Sequence, residues 1–418
     1  MVTLREPGGA RAAQPGVLFF INDLAIGGAE RVLVSLVNNL RRFRPTVVLL
    51  RPVADLLGEL NPEIGVYSLS AGGGPGPDGR GRRGLLVLEA PRLLINAIQL
   101  RRLARLTNCA IVSTFLNRSH TVALTSKLMA GERLRVIVNV HEVLTDHLAI
   151  HFAPFERRLM SRFIRGVFPR ADAICAVADG AAADLSRNFG VARPRIRLVR
   201  NPLDLTRIRE SAAAALDDAD AAPGFILGVG RLVRLKGFDL LIRALARLPE
   251  TLAPRLVLIG DGPEHSSLAR LAADVGVSHR VRFAGPLKNP WNYMARARVV
   301  VVPSRTEAFP NVIGEALALS VPVVAAECSG GVVEYLENGA CGLLVPPDDA
   351  DALARALERA LMDDDLRRTM TAAGLRRVTE FALPDAVRRY EDLLEAVHGA
   401  AGPAVPEDST VPETLAGV

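Results

Sequence analysis

The sequence predicts an α/β protein built from two doubly wound parallel sheets. Short apolar segments typical of buried strands alternate with amphipathic segments typical of helices over most of the 418 residues. The alternation starts again after Asn201-Pro202-Leu203-Asp204, which divides the chain into two Rossmann-like halves. A chain of this length is also long for a single hydrophobic core and suits two domains.

The first half is predicted to span residues 16–203, after a disordered N-terminus at residues 1–15. Its strands are expected at residues 16–21, 45–50, 110–114, 135–140 and 173–177. A helix over residues 29–40 follows the first strand. The Gly-, Pro- and Arg-rich residues 70–84 predict a flexible loop rather than a strand.

The second half is predicted to span residues 204–381, joined to the first through the Ala- and Asp-rich residues 203–222. Its strands are expected at residues 225–230, 255–260, 281–285, 299–303 and 322–325. A helix over residues 311–320 follows the fourth of these, and Pro310 suits its first position because proline lacks an N–H that would be unpaired there. Residues 382–398 predict a final amphipathic helix that crosses back to the first half, and residues 399–418 a disordered tail.

Composition is that of an ordinary soluble globular protein, with 49% hydrophobic and 23% charged residues. No run of about 18 apolar residues predicts a membrane-spanning helix, and residues 1–9 lack the apolar core of a signal peptide. Cys109, Cys175, Cys328 and Cys341 have no Cys-x-x-Cys spacing, which favours reduced, mostly buried thiols over a metal site or a disulfide framework. We therefore expect a cytoplasmic protein.

The net charge of +6 comes almost entirely from arginine, since lysine occurs only at positions 127, 236 and 288. Aromatic residues make up 5% of the chain and do not alternate with basic ones, so no nucleic-acid partner is expected. A basic surface suits an anionic membrane or a phosphorylated substrate. Residues 80–105 and 155–170 have the spacing of helices that lie on a membrane surface, although a solvated face over a core stripe also explains them.

Glu307 and Glu315 are the most informative pair of side chains. Glu307 follows a predicted strand, and Glu315 lies just inside the next predicted helix. Ligands of open parallel sheets bind at this edge, where helix N–H groups attract phosphate. Carboxylates would repel phosphate, so the two glutamates are better suited to accept hydrogen bonds from sugar or ribose hydroxyls.

The second half opens with a glycine-ended strand and two cations. Gly230 ends the strand, and Arg231 and Lys236 flank the turn into the next helix. Two fixed cations at this place could hold a pyrophosphate and stabilise the charge that grows on it as a bond breaks. The spacing fits neither the dinucleotide fingerprint nor the P-loop. Two solvated charges in a loop are the competing interpretation.

The first half contributes further candidates. Gly27 and Gly28 precede a helix, so their N–H groups could face a ligand, although an ordinary tight turn explains them too, with Glu30 merely favourable in the first helical turn. His141 follows the strand at 135–140 and could donate to a substrate hydroxyl or oxyanion, or could be an ordinary loop histidine. His147 and His151 are one helical turn apart without a third metal ligand, so they are expected to be solvated or packing residues.

These segments together resemble the family 4 retaining glycosyltransferases, whose two Rossmann-like domains face each other across a cleft in the GT-B fold. The resemblance spans about residues 16–397 and rests on the order of its segments. They are the glycine loop at residues 27–31, the segments at 228–237, 258–264 and 281–285, the Glu-x7-Glu motif at 307–315, and the glycine-containing residues 330–346.

The resemblance implies a role for each matching side chain. Arg231 and Lys236 would bind the donor diphosphate in place of a divalent metal, so no metal or other cofactor is expected. Glu315 would hold the ribose hydroxyls, Glu307 would face the donor sugar, and His141 would lie beside that sugar. The anomeric configuration would be retained by front-side attack without a protein nucleophile.

Backbone groups complete the implied site. Gly28 and Gly230 would line the donor, and the N–H groups near Asn311 and Val312 would meet its phosphates. The C-terminal helix would cross back to the first domain, and closure of the cleft would exclude water that could hydrolyse the donor.

The implied substrates are a UDP-sugar and a polyprenyl-diphosphate-linked or other glycan acceptor. The Phe309-Pro310-Asn311-Val312 form of the Glu-x7-Glu motif is similar to that of transferases that build capsular, exopolysaccharide or lipid-linked glycans. We expect a hexosyl- or N-acetylhexosaminyl-type transferase in bacterial cell-surface polysaccharide synthesis, working at the inner face of the plasma membrane. Residues 327–334 lack the proline of the common family form, which leaves the donor sugar open.

Two other functions fit the same scaffold. A nucleotide-sugar epimerase would isomerise a free UDP-sugar without an acceptor and would have no reason to carry Glu307 at this spacing. A catalytically silent GT-B protein would keep the fold for interaction alone, and its function would not depend on Glu307.

Overall fold

The structure is a computed structural model of the chain. It describes residues 1–8, 14–69, 86–130, 134–216, 224–249, 252 and 254–399. The predicted flexible loop at 70–84 and all but the first residue of the predicted tail at 399–418 lie outside these ranges. Within them the chain forms two large, mostly parallel sheets flanked by helices, which confirms the predicted α/β class with two Rossmann-like halves.

Among the described residues, the first half contains an eight-stranded sheet. Its strands are β1 (Val2–Arg5), β2 (Gly16–Ile21), β3 (Arg44–Leu49), β4 (Gly65–Ser68), β5 (Cys109–Phe115), β6 (Arg135–Val140), β7 (Ala173–Ala176) and β8 (Ile196–Leu198). Their order is β1-β4-β3-β2-β5-β6-β7-β8, and every pair except β1 with β4 is parallel. The accompanying helices are α1 (Gly28–Asn39), α2 (Leu86–Leu106), α3 (Asn117–Ala130), α4 (Leu144–His151), α5 (Pro154–Val167) and α6 (Asp179–Phe189).

The second half repeats this plan with a six-stranded parallel sheet. The elements are α7 (Leu205–Ala212), β9 (Ile226–Val229), α8 (Phe238–Arg247), β10 (Leu256–Ile259), α9 (His265–Asp274), β11 (Val281–Gly285), α10 (Trp291–Met294), β12 (Val299–Val302), β13 (Thr306–Glu307), α11 (Asn311–Ala318), β14 (Val323–Ala326), β15 (Ser329–Gly330), α12 (Val332–Tyr335), β16 (Leu343–Val345), α13 (Ala350–Met362), α14 (Asp364–Val378) and α15 (Leu383–Gly399). The sheet order is β11-β10-β9-β12-β14-β16, and β13 pairs separately with β15.

The strands that carry the site are buried on both faces. All six residues of β2 and all four residues of β12 are buried, as expected for parallel strands covered by helices on both sides. One apolar cluster lies on each face of each sheet. The C-terminal helix α15 belongs to the first half by packing, because Val387, Tyr390 and Leu394 lie in the same cluster as Phe19 of β2.

Two predictions about chain ends and helix starts are wrong. Residues 1–15 were expected to be disordered, but Val2–Arg5 forms β1 and pairs with β4, and Arg5 donates hydrogen bonds to the carbonyls of Leu57, Leu60 and Asn61. Pro310 was expected at the first helical position, but it has extended backbone and precedes the helix, which begins at Asn311. The first of these errors arose because β1 is held by long-range pairing rather than by its own apolar pattern.

Candidate active site

The two halves meet along the carboxyl ends of their strands, and several hydrogen bonds cross between them. Arg31 of α1 donates to the carbonyl of Lys288 at 3.3 Å, and Arg207 pairs with Glu59 at 2.7 Å. The chain passes between the halves near residues 203 and 382, and Leu203 and Ala382 pair there in an isolated parallel β-bridge. Most of the side chains singled out from the sequence lie at or beside this interface.

Glu307 sits in the short strand β13, which places its carboxylate at the edge of the second sheet. Its Oε1 atom accepts hydrogen bonds from Lys236 and, at 2.8 Å, from the hydroxyl of Ser304. The neighbouring strand β15 must approach closely, and Gly330 there has a φ of +103° and would collide with the carbonyl of Glu307 if it carried a side chain. Close packing of the β15 backbone and the ion pair with Lys236 therefore both hold Glu307 in place.

Lys236 ends a single 3-10 turn, Arg234–Lys236, between β9 and α8. Gly237 follows it with a φ of +66°, and a side chain at this position would overlap the carbonyl of Pro303. This contact holds the Lys236 turn against the end of β12, from which the Glu307 segment departs. Gly230 lies close by, because a Cβ atom added to it would be 3.6 Å from the Lys236 side chain.

Arg231 is exposed in the cleft and faces charged groups of the first half. Its charge acts on Glu30 of α1 and on His151 of α4. Burial raises the pKa of Glu30 to about 7, Asp23 adds to the rise, and Arg231 opposes it. The sequence indicated only that Glu30 is favourable in the first helical turn. In the structure it is also close enough to Arg231, which is predicted to bind the donor diphosphate, for the two charges to interact.

Glu315 lies one helical turn after Asn311 on α11 and faces a cavity between the halves. Arg31 and Arg207 also line this cavity, with their guanidinium groups 5.8 and 5.7 Å from the centre of the Trp291 ring. Burial raises the pKa of Glu315, while Arg31 and the Trp291 indole oppose that rise. The carboxylate is therefore enclosed, with the arginines Arg31 and Arg207 lining the same cavity.

His141 follows β6 and stacks on Phe115, with ring centroids 5.2 Å apart. Its two ring nitrogens are buried without a hydrogen-bond partner among the described residues. Burial lowers its pKa to about 4, and Asn201 and Glu142 oppose this. His141 is therefore neutral near pH 7, with one nitrogen able to donate a hydrogen bond and the other able to accept one.

The His147 and His151 pair also reaches the cleft. His147 forms a 2.5 Å contact with Glu142 through Nδ1, and its ring lies 4.6 Å from that of His151. Asn117 donates to the other oxygen of Glu142. His147 is thus held by the Glu142 carboxylate, and burial, followed by the charges of His147 and Arg231, lowers the pKa of His151.

The start of α11 joins the glycine loop of the first half. Asn311 donates to the carbonyl of Gly28 at 3.4 Å and accepts from Asn201 at 2.8 Å. Val312 and Asn311 occupy the first helical turn, where backbone N–H groups are unpaired within the helix. Phe309 is buried and stacks on Tyr335, with ring centroids 4.2 Å apart, so it anchors the segment before α11 to the core of the second half. Pro310 makes the turn from this anchor into the helix.

Asp146 of α4 clips the two halves together beside Glu307. It accepts a 2.7 Å hydrogen bond from Thr306 and another from Ser329, and the hydroxyls of Thr306 and Ser329 are 3.0 Å apart. Thr306 and Ser329 belong to the paired strands β13 and β15. No local sequence pattern indicated this contact, because Asp146 and Thr306 are 160 positions apart.

A second contact across the halves involves Glu334 of α12. It accepts from the backbone N–H of Asp179 at 3.0 Å and from Arg200 at 2.6 Å. Asp179 begins α6, so Glu334 places a carboxylate at the N-terminus of a helix in the other half, where its charge is favourable. The segment that lacks the family proline is therefore held at its far end by the first half.

Other chemical groups can be placed as well. Cys109, Cys175, Cys328 and Cys341 are all buried, as the sequence predicted. Among the residues described, no group of three His, Cys, Asp or Glu side chains is close enough together to hold a metal ion. Within the same residues, none of the helices is both long and apolar enough to span a bilayer.

Family models match both halves. The model described as Glycosyl transferases group 1 matches residues 218–377, and the model described as Glycosyltransferase Family 4 matches residues 26–207. Together these ranges include every candidate side chain described above.

Relatives with similar sequences include two bacterial glycosyltransferases. One, from Campylobacter jejuni, is N-acetylgalactosamine-N,N'-diacetylbacillosaminyl-diphospho-undecaprenol 4-alpha-N-acetylgalactosaminyltransferase; it is 30% identical over 91% of this chain and 98% of its own. The lipopolysaccharide core biosynthesis glycosyltransferase LpsE of Rhizobium meliloti is 38% identical over 50% of this chain and 59% of its own.

Solved structures share the fold. HepE of Anabaena in complex with UDP-glucose has a TM-score of 0.76 and 21% identity over 91% of this chain and 99% of that chain. WaaG, a glycosyltransferase involved in lipopolysaccharide biosynthesis, has a TM-score of 0.68 and 18% identity over 90% of this chain and 99% of that chain. At these identities the likeness establishes the GT-B fold.

Proposed function

The chain belongs to family 4 of the glycosyltransferases and has the GT-B fold, and from this premise we propose that it transfers a sugar from a UDP donor to a lipid-linked or other glycan acceptor with retention of anomeric configuration. The observation that carries the proposal is the ion pair between Lys236 and Glu307 at the carboxyl edge of the second sheet. It brings together a cation for a diphosphate and a carboxylate for sugar hydroxyls, on segments fixed by glycine contacts.

The proposed reaction needs the donor diphosphate to accept growing negative charge as the bond to the sugar breaks. Arg231 and Lys236 supply fixed positive charge on that side, and the N–H groups of Asn311 and Val312 supply hydrogen bonds. When the donor binds, Lys236 shares its hydrogen bonds between Glu307 and the diphosphate. We propose that these groups make a divalent metal unnecessary, so full activity is expected in the presence of a metal chelator.

The remaining side chains are proposed to hold the donor's hydroxyls. Glu315 accepts from the ribose, inside a cavity whose arginines keep its charge compensated. Glu307 faces the sugar, and neutral His141 contacts that sugar from the first half. Gly28 and Gly230 leave room for the donor between the two loops. No protein nucleophile is invoked, since the departing diphosphate itself can take the acceptor's proton in a front-side reaction.

Substrate class follows from the relatives rather than from the geometry. The Campylobacter jejuni relative is named for an N-acetylgalactosaminyl transfer to an undecaprenyl-diphosphate-linked sugar, and HepE of Anabaena was solved with UDP-glucose. We therefore propose a hexosyl or N-acetylhexosaminyl donor on UDP, a polyprenyl-diphosphate-linked acceptor, and a role in bacterial surface-glycan synthesis.

The function can be tested by following UDP release from a panel of UDP- and GDP-sugars, with and without a polyprenyl-diphosphate-linked sugar. We expect acceptor-dependent UDP release, lost in Glu307→Gln and kept in the matched control Glu358→Gln on α13, which packs against β14 and β16. Formation of an epimer without UDP release would replace the proposal by an epimerase. Absence of donor binding for every nucleotide sugar would favour the silent alternative.

We also propose that the first half rests on an anionic membrane surface, where a lipid-linked acceptor would be found. In α5, Phe155 is 77% exposed and Leu159 is also exposed, beside the exposed Arg157, Arg158 and Arg162. Apolar side chains among arginines suit the boundary between anionic headgroups and acyl chains. This location at the inner face of the plasma membrane rests on the acceptor proposed above.

Vesicle binding tests the membrane proposal independently of catalysis. The wild-type protein should sediment with vesicles that contain anionic phospholipid and not with neutral vesicles, and Phe155→Ser with Leu159→Ser should abolish this. Met362→Ser removes an apolar side chain that is 65% exposed in the second half and should leave binding unchanged. Equal binding by the double variant would show that α5 is not the contact.

A further inference from the structure

Asn201 lies in the segment that joins the two halves, between β8 and α7, and its side chain is buried. Its Nδ2 atom donates to the carbonyl of Phe309 at 3.1 Å and to Oδ1 of Asn311 at 2.8 Å. Because a carbonyl can only accept, the group that faces Phe309 must be the amide NH2. The orientation of the Asn201 amide is therefore fixed, and its oxygen points away from the second half.

The oxygen of Asn201 has no hydrogen-bond partner among the described residues, and neither has either ring nitrogen of His141. His141 and Asn201 line the same small cavity, which has room for about one water molecule. An amide oxygen can only accept, and a neutral imidazole has one N–H to donate, so the two groups are chemically complementary. Buried polar atoms that stay unpaired destabilise the folded protein, which favours a hydrogen bond between the two groups, directly or through one water.

We propose that Asn201 is a positioning residue that fixes the tautomer and ring orientation of His141 by accepting its N–H, directly or through one buried water. The proposal rests on the function proposed above, in which His141 contacts the donor sugar. With one nitrogen held by Asn201, the other is left as a hydrogen-bond acceptor and must receive a sugar hydroxyl. The low pKa of His141 agrees, since a charged ring would have no acceptor nitrogen.

The same amide connects the loops of the site. Gly28 accepts from Asn311, Asn311 accepts from Asn201, and Asn201 faces His141, so three side chains link the glycine loop, the start of α11 and the histidine. A displacement of α11 relative to the first half would break this chain. Asn201 thereby makes the orientation of His141 depend on the closed arrangement of the two halves.

Nitrogen-15 NMR of the histidine rings tests the proposal without requiring catalysis. In the wild-type protein at pH 7, His141 should show a single neutral tautomer, and Asn201→Ala should give a mixture of tautomers. In Asn201→Asp, which keeps the side-chain size, a carboxylate beside the ring should raise the pKa of His141. A mixture of tautomers in the wild-type protein, or an unchanged His141 spectrum in both variants, would overturn the proposal.

Kinetics separate positioning from a purely structural role. Asn201→Ala should lower kcat by about 10²-fold, as expected for a misplaced catalytic group, while the KM for the donor changes by less than about threefold. In a His141→Ala background the same substitution should cause no further loss, whereas additive losses would contradict action through His141. If the wild-type protein transfers no sugar, the proposed function fails while the NMR result still decides the role of Asn201.

Discussion

A glycine in α6, Gly180, allows the two halves to approach each other closely beside Glu307. A Cβ atom at Gly180 would lie 2.6 Å from the carbonyl oxygen and 2.8 Å from the Cα of Gly330, across the interface between the halves. Ordinary contact begins at 3.4 Å, so Gly180→Ala must open this contact from 2.6 to 3.4 Å, by about 0.8 Å. Gly330 pairs directly beside Glu307 in β13 and β15, so the displacement falls on the proposed sugar site.

Gly180→Ala is therefore expected to separate stability from activity. Alanine in place of a helical glycine should leave the free energy of unfolding unchanged or raise it by up to about 1 kcal/mol. A displacement approaching 1 Å should lower kcat/KM by about 10- to 100-fold. Thermal unfolding and steady-state transfer rates, measured on the same preparation, give both quantities.

The matched control is Gly166→Ala in α5, where a Cβ atom would meet nothing within 4 Å. It should have the same small effect on stability and leave transfer in detergent solution unchanged. Full activity in Gly180→Ala would refute the closed contact as a requirement for catalysis. An equal loss in Gly166→Ala would show that helical glycines as such, rather than the contact with Gly330, cause the effect.

Three further predictions follow from the site. Lys236→Met should lower kcat by about 10²- to 10³-fold, as for loss of one group that stabilises developing negative charge, and a kcat within threefold of wild type would exclude that role. Asp146→Ala should raise the donor KM several-fold because it frees β13 and β15 from α4, and Asp146→Asn should partly restore it. An unchanged KM would show that this contact does not affect donor binding. Since burial raises the pKa of Glu30 from 4.5 to about 7, wild-type stability should fall relative to Glu30→Gln as pH rises between these values, and parallel stability curves would contradict it.

The sheets could be predicted because most of their strands are recognisable from a local apolar pattern. β2 and β12 are continuous apolar runs that end in turn residues, so a short window of sequence suffices. The strands β4, β8 and β16 have three or four residues each, and β8 is partly exposed, so their patterns do not stand out from loops. β1 is recognisable only through its pairing with β4, which lies more than 60 positions along the chain.

The site was predictable where its chemistry is local and unpredictable where it depends on distant contacts. Arg231, Lys236 and Glu307 follow strand ends, and parallel strands bring such ends to one edge. Asn201 was noted only as a boundary, because its partners Phe309 and Asn311 are 108 and 110 positions away. No helical or strand period relates residues at such separations.

The shifted pKa values of Glu30 and His141 could not be predicted from the sequence either. Both shifts arise from burial, which depends on how the two halves enclose the cleft rather than on neighbouring residues. A histidine after a strand and a glutamate in a first helical turn are common in proteins with no site at all. Only their enclosure distinguishes these two.

The most direct test of the central claim is the anomeric configuration of the product, determined by NMR with an isotopically labelled UDP-sugar and a polyprenyl-diphosphate-linked sugar acceptor. We expect one UDP released for each glycoside formed, a product with the anomeric configuration of the donor, and loss of both in Glu307→Gln. A product of inverted configuration, or an epimerised nucleotide sugar without UDP, would contradict a retaining transferase built on the Lys236 and Glu307 pair.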